Sequence, residues 1–300
     1  MADRQAWLEE RKSYIGASEV ASILGCNPHE SAHELWLVKT GRKEKETTFP
    51  MLRGSHMESL IADWFTRTTG IEAKPSKLYR HPKWPFIACN PDYEIEVNGV
   101  KGLLECKDVG YWPGKQWGRD GADQVPEHYL TQVAYQLIAA QEFDFNCLYA
   151  CIDGREFCSY YYSFKPEAYA TAHILSMDLA RNITMKVVRW WERHIEKDIE
   201  PEMSYHEDDH RYAQGCRKSY TDSKLCYPTE DINDEIKKLK DRKAALDRAN
   251  REHEESKNRI KLYMAQENAD SMETEYGYFN YKVNARGVAT FTTPFKSDKA

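Results

Sequence analysis

The chain has 300 residues, of which 41% are hydrophobic and 12% aromatic, a composition that suits a folded globular protein and excludes general disorder. Its net charge of −6 argues against a protein that coats nucleic acid through bulk positive charge, but not against an enzyme whose basic residues line one channel. No run approaches the roughly 18 apolar residues of a membrane span, and the N-terminus lacks a basic-then-apolar signal. We therefore expect a cytoplasmic protein without membrane association.

The first part of the chain is predicted to be helical. Ser18 is expected to cap a short helix that Gly25 ends, and a second helix is expected over residues 32 to 40. A third helix is expected over residues 54 to 69, with Glu58 in its first turn. Ser18 would then lie at a helix N-terminus.

The middle of the chain changes to strand patterns. Residues 93 to 97 and 102 to 107 alternate around Asn98 and Gly99, which predicts a β-hairpin. Other segments have the periodicity of a strand at 86–89, a helix at 126–141 and strands at 146–152 and 157–164. The order of helices, strands, helix and strands predicts an α/β core with a central sheet.

The last part of the chain differs in composition. A long helix is expected from residue 166 to about residue 199, followed by a polar, irregular stretch. We place a domain boundary there, with a core over residues 1–213 and an extension over residues 214–300. The extension is predicted to hold a charged helix or helical hairpin over about residues 230–267 and a small β-hairpin over residues 276–293.

The cysteines and histidines do not indicate a metal cluster. The eight cysteines include no Cys-x-x-Cys pair and lie in apolar segments, as expected of reduced core thiols. One set invites a zinc interpretation, but its spacings fit no standard site: His206, His210, Cys216 and Cys226. We favour no zinc site there.

Two adjacent strands carry the residues of a hydrolytic centre. Asp92 follows one predicted strand, and Glu105 and Lys107 share one face of the next, because side chains alternate with a period of two. Hydrolysis of a phosphodiester requires an activated water and stabilisation of charge, which Mg²⁺ held by carboxylates supplies. Lys107 beside the metal would orient the water or stabilise developing negative charge.

Further ligands can be named for such a centre. The backbone carbonyl of Cys106 could complete the ligands of a first ion, and Glu58 is the best remaining carboxylate for a second. The alternative is that Glu105 and Lys107 form an ordinary surface ion pair. The apolar residues that lead into Glu105 favour the functional interpretation, because a charge within a buried strand requires a partner or a metal.

With these residues identified, the chain resembles the YqaJ-like viral recombinases, the family of lambda exonuclease within the PD-(D/E)xK nuclease superfamily. The resemblance extends over residues 7 to 164 and rests on motifs that occur in the family's order. They are Trp-Leu-Glu-Glu-Arg at 7–11 with Ile-Gly-Ala-Ser at 15–18, Gly-x-x-x-Glu at 54–58, Asn-Pro-Asp at 90–92 with Leu-Glu-Cys-Lys at 104–107, and Pro-x-x-Tyr-x-x-Gln at 126–132.

The resemblance implies a restriction-endonuclease-like fold and residue roles. Asp92 and Glu105 would bind the catalytic metal, Lys107 would assist the nucleophilic water, and Glu58 would bind a second ion. Tyr129 and Gln132, one helical turn apart, would hold the water and the substrate.

A phosphate site is implied as well. Arg11 and Ser18 would bind a DNA phosphate, such as the terminal 5′-phosphate, and a hydroxyl at a helix N-terminus beside a guanidinium is physically suited to that task. The alternative is that Ser18 only caps its helix and Arg11 only pairs with Glu10 or Glu19. Asn90 stands where relatives often have a small hydroxyl residue, which leaves a phosphate contact there open.

The expected function is a Mg²⁺-dependent exonuclease, with Mn²⁺ as a substitute, that digests double-stranded DNA from 5′ ends and leaves 3′ single strands for an annealing protein. The family implies a homo-oligomer, such as a trimeric ring, in a bacterial or phage-infected cell. Alternatives are another PD-(D/E)xK nuclease or a non-catalytic module that binds DNA ends. One further segment mixes aromatic and basic residues as DNA-contacting loops do, although it also suits a flexible surface loop: Trp112, Lys115, Trp117 and Arg119.

Overall fold

A computed structural model describes residues 9–45, 47–204, 206–207, 209, 227–283 and 289–294. The chain divides into two compact units, residues 1–218 and residues 219–300. The predicted boundary between residues 213 and 214 lies outside the described residues, as do His210, Cys216 and Cys226. None of the helices in the described part of the chain combines the length and apolar character needed to cross a membrane.

Three helices with described bounds precede the sheet. They are α1 (Val20–Leu24), α2 (Ala32–Lys39) and α3 (Phe49–Thr69). The side chain of Ser31 caps α2 by accepting a hydrogen bond of 2.9 Å from the backbone N–H of Glu34, and Gly70 ends α3 in the left-handed conformation. Because α3 begins at Phe49, five residues earlier than we predicted, Glu58 lies in the middle of this helix and not in its first turn.

A six-stranded mixed sheet forms the centre of the first unit. Its order is β1-β4-β5-β6-β7-β8. The strands are β1 (Lys74–Pro75), β4 (Tyr93–Val97), β5 (Val100–Val109), β6 (Phe145–Ile152), β7 (Glu156–Ser163) and β8 (His173–Ile174), while β2 (Tyr79–Arg80) pairs with β3 (Ala88–Cys89). β5 runs parallel to β6 and antiparallel to β4. The predicted α/β architecture, with a central mixed sheet flanked by helices, is confirmed.

The β4–β5 hairpin turns as the sequence predicts. Val97 pairs with Val100 across a two-residue loop, in which Asn98 and Gly99 have φ angles of 52° and 81°. Positive φ at both positions suits the right-handed twist of the strands, and Asn followed by Gly adopts it at low cost. The turn fixes the register, and hence which residues of β5 lie beside the start of β4.

Helices cover both faces of the sheet. One core cluster joins the α3 residues Ile61 and Phe65 to Leu104 of β5. The other joins Leu103 of β5 to helices α5 (Glu127–Ala139) and α6 (Met177–Trp190). A short helix α4 (Tyr111–Gly114) follows β5 directly. Alternate residues of β5 therefore face opposite layers, and Glu105 lies on the face toward α5, where Gln132 contacts it.

The long helix that we predicted from residue 166 begins later, so the predicted start is wrong. Residues 166 to 172 form turns, β8 follows, and Ser176 caps α6 by accepting a 3.1 Å hydrogen bond from the backbone N–H of Leu179. The helix ends in a π-helical turn, Trp191–Glu196. Apolar periodicity alone missed the interruption because a local side-chain cap ended the extended segment.

The second unit contains helix α7 (Glu230–Gln266) and three strands, β9 (Ser271–Thr274), β10 (Gly277–Val283) and β11 (Ala289–Thr292). β10 pairs antiparallel with both neighbours, so the predicted hairpin gains a third strand. Only Met264 is buried among the described residues of α7. The helix is therefore polar on most of its surface, as its composition predicts.

Replacement of two glycines by alanine should change the stability of the fold in opposite directions. At Gly102 of β5, an added Cβ would lie 2.3 Å from the ring of Phe145, which is fully buried. Gly102→Ala should therefore lower the melting temperature, at a cost of about 1–3 kcal/mol for overpacking. At Gly54, inside α3, an added Cβ meets nothing within 4 Å, so Gly54→Ala should raise stability by up to about 1 kcal/mol. Thermal denaturation measures both changes, and destabilisation by Gly54→Ala that equals that of Gly102→Ala would contradict this packing.

Candidate active site

Asp92 lies where two strands of the sheet separate. β4 pairs with β5 only as far as Tyr93, opposite Leu104, whereas β5 continues to pair with β6 through Val109. Asp92 precedes β4, and its Oδ2 accepts a 2.8 Å hydrogen bond from the backbone N–H of Cys106. The Asp92 carboxylate thus accepts a hydrogen bond from β5 just beyond the last residue pair of β4 and β5. This arrangement holds Asp92 beside the Glu105 to Lys107 segment of β5.

Glu105 is a buried carboxylate with several donors. Its side chain is 5% exposed. Lys107 donates to Oε1 at 2.6 Å, Gln132 donates to the same oxygen, and Gln136 donates to Oε2 at 2.6 Å. A buried negative charge is tolerated only when it is paired and hydrogen bonded, and here both oxygens are satisfied. The expectation that Glu105 and Lys107 share a face of β5 is confirmed.

Lys107 is the cation of this centre. Burial disfavours its charge, but the neighbouring Glu105 and Asp92 carboxylates outweigh burial and raise the Lys107 pKa above its usual value. Its ammonium nitrogen also lies 5.3 Å from the centre of the Tyr129 ring. Lys107 is therefore held in its charged form between the carboxylates and Tyr129.

Negative charge still exceeds positive charge at the site. Burial raises the pKa of Asp92 well above its usual value, and the Glu105 carboxylate raises it further, against the opposing effect of Lys107. Burial also raises the pKa of Glu58, again with a contribution from Glu105. Glu58 thus belongs electrostatically to the same centre, although it comes from α3. One ammonium group does not neutralise three carboxylates.

The donor chemistry of this centre suits a hard divalent cation. Mg²⁺ prefers carboxylate and carbonyl oxygens, and a cation beside Asp92 and Glu58 would offset the burial and the repulsion from Glu105 that raise their pKa values. In the part of the chain that the structure describes, no three His, Cys, Asp or Glu side chains are grouped tightly enough to hold a metal ion. The residues fit the cation by charge and donor type, but not by grouping, because protein donors engage both oxygens of Glu105.

Two amides near Glu105 were missed at the sequence level. Gln136 lies one turn after Gln132 on α5, and it links Glu105 to Asn146 of β6. The spacing of four residues between the glutamines places them on one face of the helix, which is the signal that could have indicated Gln136. Asn146 could not be found in this way, because only the fold brings β6 beside α5.

The proposed phosphate residues are not assembled as expected. α1 has five residues, its N-cap is Glu19 without a side-chain hydrogen bond, and the exposed Ser18 precedes it in a turn. The prediction that Ser18 caps this helix is wrong, because the buried Glu19 instead accepts hydrogen bonds from Arg11 at 2.9 Å and from the backbone N–H of Gly16 at 2.7 Å. Arg11 therefore has the ion-pair partner that the alternative interpretation gave it.

The other site residues have different environments. Asn90 is exposed between β3 and β4. The ring of Tyr129 lies 5.2 Å from that of the buried Trp117, between centroids, so Trp117 belongs to the core and not to a surface loop. Trp112 is 66% exposed, and the Lys115 ammonium lies 3.8 Å from the centre of its ring. Only Trp112 and Lys115 of the aromatic and basic segment thus remain available to a ligand as a pair.

Comparison with known proteins shows what the segment that contains this centre is similar to. Residues 6–142 match the YqaJ-like viral recombinase domain, and this segment contains every residue of the centre except Asn146. The chain is also 36% identical over 138 residues to the uncharacterized protein YqaJ of Bacillus subtilis (strain 168), a match that covers 45% of this chain and 41% of that protein. The YqaJ-like domain is thus shared, and more than half of that relative lies outside the match.

One solved structure supports the fold. The crystal structure of LHK-Exo in complex with dAMP is 16% identical, with a TM-score of 0.51 over 71% of this chain and 100% of that chain. A second structure, of the alkaline exonuclease LHK-Exo from Laribacter hongkongensis, is also 16% identical, with a TM-score of 0.49 over the same shares. At this identity the likeness concerns the fold, and it agrees with the predicted restriction-endonuclease-like core.

Two carboxylates of the centre should respond oppositely to neutralisation. Because the Asp92 pKa is raised in the folded state, the ionised carboxylate lowers the free energy of unfolding at neutral pH. Asp92→Asn should therefore raise the melting temperature in the absence of metal, by roughly 2–4 °C for each kcal/mol of unfolding free energy that is regained. Glu105→Gln would place an amide NH₂ group opposite one of the donors Lys107 and Gln136, and should lower the free energy of unfolding by about 1–3 kcal/mol. Calorimetry in EDTA checks both variants, and a destabilised Asp92→Asn protein would contradict the charge excess.

Proposed function

We propose that this chain is a Mg²⁺-dependent 5′-to-3′ exonuclease that hydrolyses double-stranded DNA and leaves 3′ single strands for annealing-type recombination. The observation that carries the proposal is the junction of Asp92, Glu105 and Lys107 where β4 and β5 separate. A charged lysine beside carboxylates with raised pKa values, within a YqaJ-like domain, is what metal-dependent phosphodiester hydrolysis requires.

The carboxylates would hold the metal. Asp92 and Glu105, together with the backbone carbonyl of Cys106, would hold one Mg²⁺ or Mn²⁺, and Glu58 would contribute to a second ion. A bound cation would supply charge stabilisation for the phosphoryl oxygens and lower the pKa of a bound water. In exchange, it would remove the repulsion that Glu105 exerts on Asp92 and Glu58.

The remaining residues would orient the reaction. Lys107, held by Glu105 at 2.6 Å, would stabilise the negative charge that develops on the phosphate during attack. Gln132 would fix the Glu105 carboxylate and the nearby water, and Tyr129, whose ring lies beside the Lys107 ammonium, would contact the substrate. Each role follows from a contact within the centre, so each is open to a single substitution.

The polarity and partners of the reaction form the second part of the proposal. Arg11, Ser18 and Asn90 would receive the 5′-phosphate, which requires Arg11 to exchange its ion pair with Glu19 for the DNA. Lys39 supports such an exchange, because its ammonium lies 2.7 Å from the Glu19 carboxylate and would keep that charge paired. We further propose that the enzyme is a homo-oligomer, such as a trimeric ring, and acts with a single-strand annealing protein.

Digestion of linear duplex DNA tests this function. With Mg²⁺, the protein should degrade one strand from each 5′ end, faster when that end carries a phosphate than when it carries a hydroxyl. Lys107→Ala should lower the rate by roughly 10²-fold or more, because it removes the ammonium group that lies beside the Glu105 and Asp92 carboxylates. Lys101→Ala is the matched control, since Lys101 is an exposed lysine of the same strand, and it should leave the rate unchanged.

The outcomes of this assay separate the parts of the proposal. Degradation in EDTA, or none with Mg²⁺ or Mn²⁺, would contradict the hydrolytic assignment and favour a module that only binds DNA ends. Equal rates on phosphate and hydroxyl ends would contradict the proposed 5′-phosphate site but not the proposed metal centre. Internal cleavage of circular duplex would indicate another type of PD-(D/E)xK nuclease.

A further inference from the structure

Glu105 is connected to the interior of the core by two amide side chains. The Nε2 of Gln136 donates to Glu105 Oε2 at 2.6 Å, and the Oε1 of Gln136 accepts a hydrogen bond from the Nδ2 of Asn146. Gln136 is on α5 and Asn146 is on β6, the strand next to β5. The chain of contacts therefore ties the carboxylate to two elements besides its own strand.

Both amides lie where polar groups are costly. Gln136 is 1% exposed and Asn146 is 0% exposed. A buried amide without a hydrogen-bond partner costs on the order of 1–3 kcal/mol, so these side chains are tolerated only because they satisfy each other and Glu105. Asn146 Oδ1 nevertheless has no hydrogen-bond partner among the described residues. An apolar residue at this position would remove that unpaired oxygen but would leave the Gln136 carbonyl without its donor, so Asn146 is explained by its hydrogen bond to Gln136.

The direction of the hydrogen bonds follows from the charge of Glu105. An ionised carboxylate only accepts, so Gln136 must present its NH₂ group to Glu105 and its carbonyl to Asn146. The carbonyl then requires a donor, which Asn146 supplies. Asn146 thus holds Gln136 in the one orientation that satisfies the carboxylate.

Gln136 also acts on a different oxygen from the other donors. Lys107 and Gln132 both donate to Oε1, and Gln136 donates to Oε2. Donors on one oxygen leave the plane of the carboxylate free to rotate, whereas donors on both oxygens fix it. The orientation of Glu105 therefore depends on Gln136 and, through it, on Asn146.

We propose that Gln136 and Asn146 are positioning residues that fix the plane of the Glu105 carboxylate for a divalent metal. This inference rests on the proposed function, because it assumes that Glu105 binds the metal. Groups that orient a metal ligand typically change metal affinity by 10-fold to 100-fold when they are removed. Neither residue needs to touch the metal or the DNA.

The affinity of the full-length protein for Mn²⁺ tests the proposal. Isothermal titration after removal of metal with EDTA should show a Kd about 10-fold to 100-fold weaker for Gln136→Met than for the unmutated protein. Because Gln136→Met leaves Asn146 without its acceptor, the double variant Gln136→Met/Asn146→Leu replaces both amides by apolar side chains and should recover the part of the lost stability that comes from the unpaired Asn146 amide, although Glu105 Oε2 still lacks its donor. Its Kd should stay weak, which separates orientation of the ligand from stability of the fold.

Ser163→Ala is the matched control. Ser163 is fully buried in β7 and donates a hydrogen bond of 2.6 Å to the backbone carbonyl of Asp144, but it is not among the residues that contact Glu105. It should lose stability without a change in Mn²⁺ affinity. An unchanged or tighter Kd in the double variant overturns the inference and leaves the proposed function intact. If the unmutated protein fails to bind Mn²⁺, or Asp92→Asn binds it as tightly as the unmutated protein, the metal centre itself is overturned, and this inference with it.

Discussion

The first unit depends on one constraint, which is that the negative charge of Glu105 lies buried in a central strand of the sheet. A carboxylate in this position is compatible with folding only if donors surround it. The surrounding elements supply them: β5 itself provides Lys107, and α5 provides Gln132 and Gln136. The packing of α5 on the sheet is thus an electrostatic as well as an apolar contact, and it cannot change without exposing this charge.

The same constraint explains how the site is built from strands that separate. Once β4 stops pairing at Tyr93, the backbone N–H of Cys106 needs an acceptor, and Asp92 provides it. A second carboxylate is thereby held close to Glu105. Burial and the Glu105 charge disfavour its ionised form and raise the pKa of Asp92. A fold selected only for stability would place a neutral acceptor there. The unfavourable carboxylate is understandable if a divalent cation is to be bound at this point.

The sequence predicted the parts of this arrangement that local rules govern. The Asn98-Gly99 turn fixed the hairpin, and the period of two placed Glu105 and Lys107 on one face. Contacts between distant segments were not accessible to such rules. The link from Gln136 to Asn146 depends on the packing of α5 against β6, and the pairing of Glu19 with Arg11 and Lys39 displaced Ser18 from the cap that its residue type suggested. The buried start of α1 thus overrode a local capping preference, as tertiary contacts commonly do.

The central claim is that Asp92 and Glu105 together bind a divalent metal. The most direct measurement is a crystal of the full-length protein soaked in Mn²⁺ and recorded near the manganese absorption edge. An anomalous difference peak within roughly 2–2.5 Å of carboxylate oxygens of both Asp92 and Glu105 is the result this account predicts. Peaks found only elsewhere, or none at this junction at Mn²⁺ concentrations that support DNA degradation, would contradict it.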